Sequence, residues 1–226
     1  MPRVLLIEDD PAVRRGVGWA LRHRGHEVAE AATGEEGLDR LRSHGSDVVV
    51  LDLMLPGLSG LDVCRRIREY DQVPIIIVTA RGDDVDVVVG LEAGADDYVV
   101  KPVQAGVLEA RMRAVLRRTE PAAGPSRPRL SSYGDVTIDR AGMTVTLNGT
   151  PVPLAPSELR LLFALSASPG QVLSRQHLLE TVWEHGYHGD IRLVDACVKR
   201  LRGKLGDSAH HVETVRGFGY RFRAAV

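Results

Sequence analysis

The 226-residue chain has only two cysteines, Cys64 and Cys197, in different halves of the sequence. That excludes a disulfide framework and a thiolate metal site, and it fits a reducing compartment. No apolar run approaches the roughly 18 residues of a membrane span. The opening MPRVLLIEDD has a four-residue apolar run before three acids, so it does not read as a secretion signal. A cytoplasmic location away from the membrane is the expectation. Internal repeats and low-complexity tracts are lacking too. Net charge is nearly absent, at −1, but this hides a split: residues 1–118 carry −4 and residues 119–226 carry +3.

What the first half does have is a set of apolar, strand-like runs that end in polar groups. VLLI (4–7) runs into Glu8 and Asp9, VVVL (48–51) into Asp52, IIIV (75–78) into Thr79, and YVV (98–100) into Lys101. EVAEA (27–31) supplies a further strand. Between them lie helical segments: one opened by Asp10-Pro11, then 34–42, 60–70, 84–93 and 104–118. Alternation of this kind predicts an α/β, doubly wound, five-stranded parallel sheet. The carboxyl ends of such strands form the binding edge. Three acids, a hydroxyl and an ammonium would therefore converge in one crevice.

Residues 119–130, TEPAAGPSRPRL, hold three prolines and little that packs, which reads as a semi-rigid linker. The predicted domains are thus 1–118 and 131–226. In the second, strands at 136–138 and 144–147 precede an Asn148-Gly149 turn signal. Helices follow at 156–166, 174–184 and 191–205, and then a glycine-bearing hairpin at 211–222. That order is a small α+β winged helix-turn-helix. In the last helix Val194, Val198, Leu201 and Leu205 form one buried stripe, and Arg192, Lys199, Arg200 and Arg202 lie off it. A basic helix of this kind fits the DNA major groove.

Three carboxylates side by side repel one another unless a cation sits between them. Oxygen-only ligands suit Mg²⁺, which shares phosphate oxygens. With Asp52 as nucleophile, Lys101 neutralising a phosphoryl oxygen and the Thr79 hydroxyl donating to another, the set is a phosphoryl-acceptor site.

LLIEDD, VVLDLMLPGLSG, IIIVTAR and LEAGADDYVVKP resemble the receiver domain of two-component response regulators, a flavodoxin-like fold. LSRQHLLETVW, RLVDACVKRLRGKL and VETVRGFGYRF resemble the winged-helix output domain of the OmpR/PhoB type. Together they cover nearly the whole chain outside the linker, and its character matches actinobacterial regulators of this type. The resemblance implies that Asp52 accepts a phosphoryl group from a sensor histidine kinase. It implies that Glu8, Asp9, Asp52 and the main-chain carbonyl of Met54 hold Mg²⁺, that Thr79 and Tyr98 form the switch pair, and that Lys101 binds the phosphate, followed by a cis bond to Pro102. It implies a homodimer on phosphorylation through a face containing Asp96, Asp97, Arg111 and Arg113, and binding to promoter direct repeats. Arg200 would read a base edge, Arg192 and Arg202 would meet phosphates, and Arg216 would enter the minor groove. Trp183, Thr214 and Tyr220 sit where backbone contacts or local packing are expected. The loop at 184–190 would touch RNA polymerase.

The chain departs from the resembled pattern at several positions. Val87 and Val107 stand where a charged cross-dimer pair is usual, Val103 where phenylalanine is usual, Cys197 where histidine is common, and Ala155 where a capping Thr or Ser is usual. Two rival functions remain. An aspartyl-phosphate phosphohydrolase would need a second Asp two residues after the nucleophile, where this chain has Met54. Only slow self-dephosphorylation is therefore expected, not enzyme turnover. A constitutive DNA-binding module with a vestigial acid site would not need the full acceptor set that this chain carries.

Overall fold

A computed structural model of the chain describes residues 1–79, 84–116, 130–183 and 190–224, with the side chains of 84–87 not among those described. The linker residues 119–129, the loop residues 184–189 and the Val87 side chain therefore lie outside the described residues. The chain divides into two compact units, Met1–Leu116 and Arg117–Val226.

In the first unit the order is β1 (Arg3–Ile7), α1 (Pro11–His23), β2 (Glu27–Ala31), α2 (Gly34–His44), β3 (Val48–Asp52), α3 (Gly60–Arg68), β4 (Ile75–Thr79), α4 (Asp84–Glu92), β5 (Asp97–Val100) and α5 (Ala105–Leu116). All five strands are parallel, in the order β2-β1-β3-β4-β5. Every residue of β3 and β4 is buried, which is why these strands are continuous β-branched and leucine runs rather than alternating ones. On one face of the sheet Leu21 of α1 and Leu108, Met112 and Val115 of α5 close over Val4, Leu6, Val48, Val50, Ile76 and Val78. Their apolar positions recur at helical spacing, Val17 and Leu21 in α1 and Leu108, Met112 and Val115 in α5, and each set forms the stripe that packs on the sheet. The strand order reverses between β1 and β3, so a crevice opens at their carboxyl ends.

Local caps fix where the helices begin. Asp10 accepts from the backbone N–H of Ala12 (2.7 Å) and Val13 (3.1 Å), and Pro11 occupies the first turn of α1. Thr33 accepts from Glu36 N at 3.2 Å while the Glu36 carboxylate accepts from Ala32 N at 2.8 Å.

The second unit begins with a four-stranded antiparallel sheet: β6 (Leu130–Tyr133), β7 (Val136–Asp139), β8 (Thr144–Leu147) and β9 (Thr150–Pro151). Asn148 and Gly149 both take positive φ, 49° and 81°, and close the β8–β9 hairpin as their signal predicts. Three helices follow: α6 (Pro156–Ser166), α7 (Arg175–Trp183) and α8 (Arg192–Leu205), with β10 (Val172–Ser174) just before α7. A 3₁₀ turn then leads into the hairpin of β11 (Val212–Val215) and β12 (Gly219–Phe222), which joins β10 in a three-stranded sheet ordered β10-β12-β11. The predicted stripe of α8 is buried throughout. The strands β6, β9 and β10 were not expected from the sequence.

The Ala155 departure has a local remedy. Ala155 has no side chain to cap α6, but its own N–H donates to Glu158 Oε2 at 2.9 Å. The glutamate half of a capping box remains without the hydroxyl half.

Candidate functional site

Glu8 and Asp9 leave the end of β1, Asp52 ends β3 and Lys101 follows β5. One acid oxygen from each of Glu8, Asp9 and Asp52 lies within 4.8 Å of the others. Glu8 and Asp52 are buried, whereas Asp9 is exposed. Lys101 Nζ donates to Asp52 Oδ2 at 2.8 Å and to Glu8 Oε1 at 3.0 Å. The second Asp52 oxygen accepts from Met54 N at 3.1 Å. The Lys101–Pro102 peptide is cis. Thr79 is buried at the end of β4, and its carbonyl accepts from Lys101 N at 2.8 Å. Tyr98 is half-buried in β5, in register with Ile77.

The electrostatics follow from burial. Burial lifts the Glu8 carboxyl above its ordinary range; the Lys101 hydrogen bond opposes the rise and the Asp52 charge adds to it. For Lys101 burial works against the ammonium, but hydrogen bonds to Asp52 and Glu8 outweigh it and raise its pKa. One ammonium thus serves two buried acids, while Asp9 adds a third carboxylate at the mouth.

Two supporting residues escaped the sequence reading. Arg14 Nη1 donates to the carbonyls of Glu8 (2.6 Å) and Asp9 (3.0 Å), holding the turn after β1 in place. Gly60 starts α3 so close to β3 that a Cβ there would meet the Asp52 carbonyl at 2.1 Å. The Leu-Ser-Gly spacing after Asp52 carries that signal, but only the close approach explains it.

The residues expected on a dimer face are divided. Val107 is 41% exposed, and Arg113 is exposed and pairs with Glu109. Asp97 is buried and takes Arg111 Nη1 at 2.8 Å within the same unit. Asp96 is not on the surface: it is fully buried, accepting from Arg68 Nη2 at 2.8 Å and from Ile75 N at 3.0 Å. Its short side chain turns under the strand end toward α3, a direction the dipeptide Asp96-Asp97 does not encode.

On α8, Arg192, Asp195, Lys199 and Arg202 fall on the exposed or half-exposed side, at steps of three, four and three. Arg192 pairs with Asp190. Arg202 Nε reaches the Val212 carbonyl at 2.9 Å, and its Nη2 donates to Thr214 Oγ1 at 2.8 Å. Thr214 and Arg216 are exposed on the hairpin. Arg200, expected to read a base edge, is placed against α6. Its Nε donates to Glu158 Oε1 at 3.0 Å, its side chain is 11% exposed, and Lys204 joins the same carboxylate at 2.7 Å. A buried carboxylate on α6 draws both cations inward. Tyr220 is 5% exposed and Trp183 fully buried, which supports the packing reading for both. Cys197 is fully buried, so its thiol faces the core and not an approaching phosphate.

Comparison with known proteins turns this geometry into a lineage. Residues 4–113 match the response regulator receiver domain. Residues 149–222 match the family described as transcriptional regulatory protein, C terminal. Over 224 residues the chain is 60% identical to transcriptional regulatory protein AfsQ1 of Streptomyces coelicolor, covering 98% of each. The chain belongs to the OmpR/PhoB-type response regulators. Transcriptional regulatory protein CseB of Streptomyces avermitilis is 48% identical over 231 residues, covering 98% of this chain and 97% of its own. Among solved structures, the response regulator DrrB of Thermotoga maritima, an OmpR/PhoB homologue, is 36% identical with a TM-score of 0.52 and 99% coverage of each chain. In this response regulator the family's sheet edge carries the acid cluster, and among the described residues no helix is long and apolar enough to cross a membrane.

Proposed function

We propose that this response regulator takes a phosphoryl group from a sensor histidine kinase onto Asp52, and that the modification controls how its C-terminal domain binds promoter DNA in the cytoplasm. The reading is carried by one observation: a buried aspartate at a strand end, held between a lysine and two further acids. The donor set suits Mg²⁺, being all oxygen and closely spaced, with three carboxylates against the single charge of Lys101. Glu8, Asp9, Asp52 and the Met54 carbonyl would hold the ion. When bound it supplies positive charge for the phosphoryl oxygens and shields the acids from each other.

In the transfer an Asp52 carboxylate oxygen forms a bond to phosphorus. The bond from phosphorus to the kinase imidazole breaks, and its electron pair returns to nitrogen. Lys101 releases part of its hold on Asp52 to meet a phosphoryl oxygen, and the Thr79 hydroxyl donates to another. The acyl phosphate adds about −1.5 to −2 charges in the crevice. Drawing Thr79 inward gives Tyr98 room to follow, which biases the surface of α4, β5 and α5 toward homodimerisation. Val87 and Val107 would replace a charged cross-dimer pair with apolar contact there. Two output domains held together then occupy direct repeats with a raised local concentration. Lys199, Arg192, Arg202, Thr214 and Arg216 are the DNA contacts that exposure favours. Arg200 would have to leave Glu158 to join them. The segment between the units acts as a linker, and the loop after α7 meets RNA polymerase. Self-dephosphorylation is slow because Met54 supplies no general acid.

Mass spectrometry after treatment with acetyl phosphate tests the chemistry. The wild-type chain gains the mass of one phosphoryl group, chelation of divalent cations prevents it, and Asp52→Asn does not gain it. A stable adduct mapped to another residue would contradict the assignment.

A further inference from the structure

The exposed side of α8 presents an acid among its bases, and that acid is not idle. Asp195 Oδ1 accepts from Arg175 Nε of α7 at 2.7 Å and from the Tyr220 hydroxyl of β12 at 2.6 Å. The Arg175 guanidinium also lies 4.9 Å above the Tyr220 ring, and Arg202 lies 5.8 Å from the same ring. Tyr220 is thus a buried hub between the basic helix and the hairpin.

Asp195 and Arg202 are seven residues apart. On an α-helix they share a face, about 20° short of two full turns and about 10 Å apart along the axis. Each is tied to the hairpin sheet, Asp195 through Tyr220 on β12 and Arg202 through the Val212 carbonyl and Thr214 on β11. One tie would act as a pivot; two ties set both the distance and the angle between α8 and the hairpin. Gly219 allows the arrangement, because a Cβ there would meet the Leu173 carbonyl at 2.0 Å and push β12 away from β10.

We propose that Asp195 is a positioning residue that sets the angle of the hairpin against α8, and so governs sequence discrimination rather than reading a base. The inference rests on the DNA-binding reading above. It has a sign that simple electrostatics lacks. Removing an acid from a face that meets phosphates strengthens sequence-independent binding. Removing a positioning group weakens sequence-specific binding, because helix and hairpin no longer reach their grooves together.

The test uses the full-length, acetyl-phosphate-treated chain and two duplexes of equal length: a promoter fragment protected by the wild type in footprinting, and its shuffled sequence. Asp195→Ala is expected to bind the shuffled duplex more tightly and the promoter fragment about tenfold more weakly. Asp195→Asn loses the same charge but keeps an acceptor oxygen, and is expected to recover most of the promoter affinity. Tyr220→Phe should repeat the promoter loss, and the Asp195→Ala, Tyr220→Phe double variant should add little to it. Across single-base substitutions of the site, the Asp195→Ala loss should be spread evenly. A loss confined to one base pair would make Asp195 a base reader, and Asn behaving as Ala would reduce the effect to charge; either overturns the proposal. Should Asp195→Ala fail to fold, the Asn and Phe variants carry the comparison. A wild-type chain that does not prefer the promoter fragment would overturn the DNA-binding reading itself, and this assignment with it. A wild-type chain that discriminates while all variants match it would overturn the positioning role alone.

Discussion

Lys101 is the residue on which the acid cluster balances. Its ammonium lies 2.8 Å from an oxygen of Asp52 and 2.8 Å from one of Glu8, so its removal takes away the cation that the two buried acids share. Lys101→Ala is expected to slow acetyl-phosphate labelling about a hundredfold, the scale for losing a charge-stabilising donor, while circular dichroism stays that of the wild type. Unchanged labelling would mean that the lysine has no part in the chemistry. Glu158 plays the matching part in the second unit. It is 1% exposed and holds Arg200, Lys204 and the Ala155 N–H. Glu158→Ala removes the buried carboxylate that both cations share, and the expected loss is about 3 kcal/mol. Urea unfolding followed through the fluorescence of buried Trp183 would measure it, and a loss below about 1 kcal/mol would contradict the assignment. At this scale the sequence is legible where chemistry sits at a strand end, because β1, β3, β4 and β5 dictate where the next residue goes. It is less legible for long side chains. Helical spacing puts Arg200 off the buried stripe, but a carboxylate 42 residues away decides where its guanidinium points. Asp96 likewise reads as a surface acid until Arg68 and Ile75 N claim it.

Elements are readable in proportion to how completely one face is buried. The central strands β3 and β4 stand out as apolar runs, and α1, α5 and α8 show their stripes. The strands β6, β9 and β10 are two to four residues long, with exposed or half-exposed positions, and offer neither a run nor a clear alternation. Only their partners make them strands. At the start of α2 the cap has a pH signature. The Ala32 N–H, the Arg40 side chain and the Arg40 charge hold the Glu36 carboxyl below its ordinary 4.5 against the cost of burial. A depressed folded pKa contributes stability that is present above pH 4.5 and lost as pH falls through the folded value. Glu36→Gln is therefore expected to flatten the acid limb of thermal unfolding below pH 4.5. An acid limb identical to wild type would remove Glu36 from the account.

The whole molecule is two units with separate cores and opposite charge. The acid cluster lies in the acidic one and the exposed bases of α8 in the basic one. Domain order and fold class were readable because each unit repeats its own pattern, strand–helix alternation in one and strands, helices and hairpin in the other. The surroundings of Asp96 and Asp97 were less readable, because both acids are engaged within the unit, by Arg68 and Arg111. Quantitative footprinting on promoter DNA, with and without acetyl phosphate, tests the central claim most directly. The account predicts that phosphodonor raises site occupancy by the wild-type chain and leaves Asp52→Asn unchanged. Equal occupancy of the wild type in both conditions would contradict it.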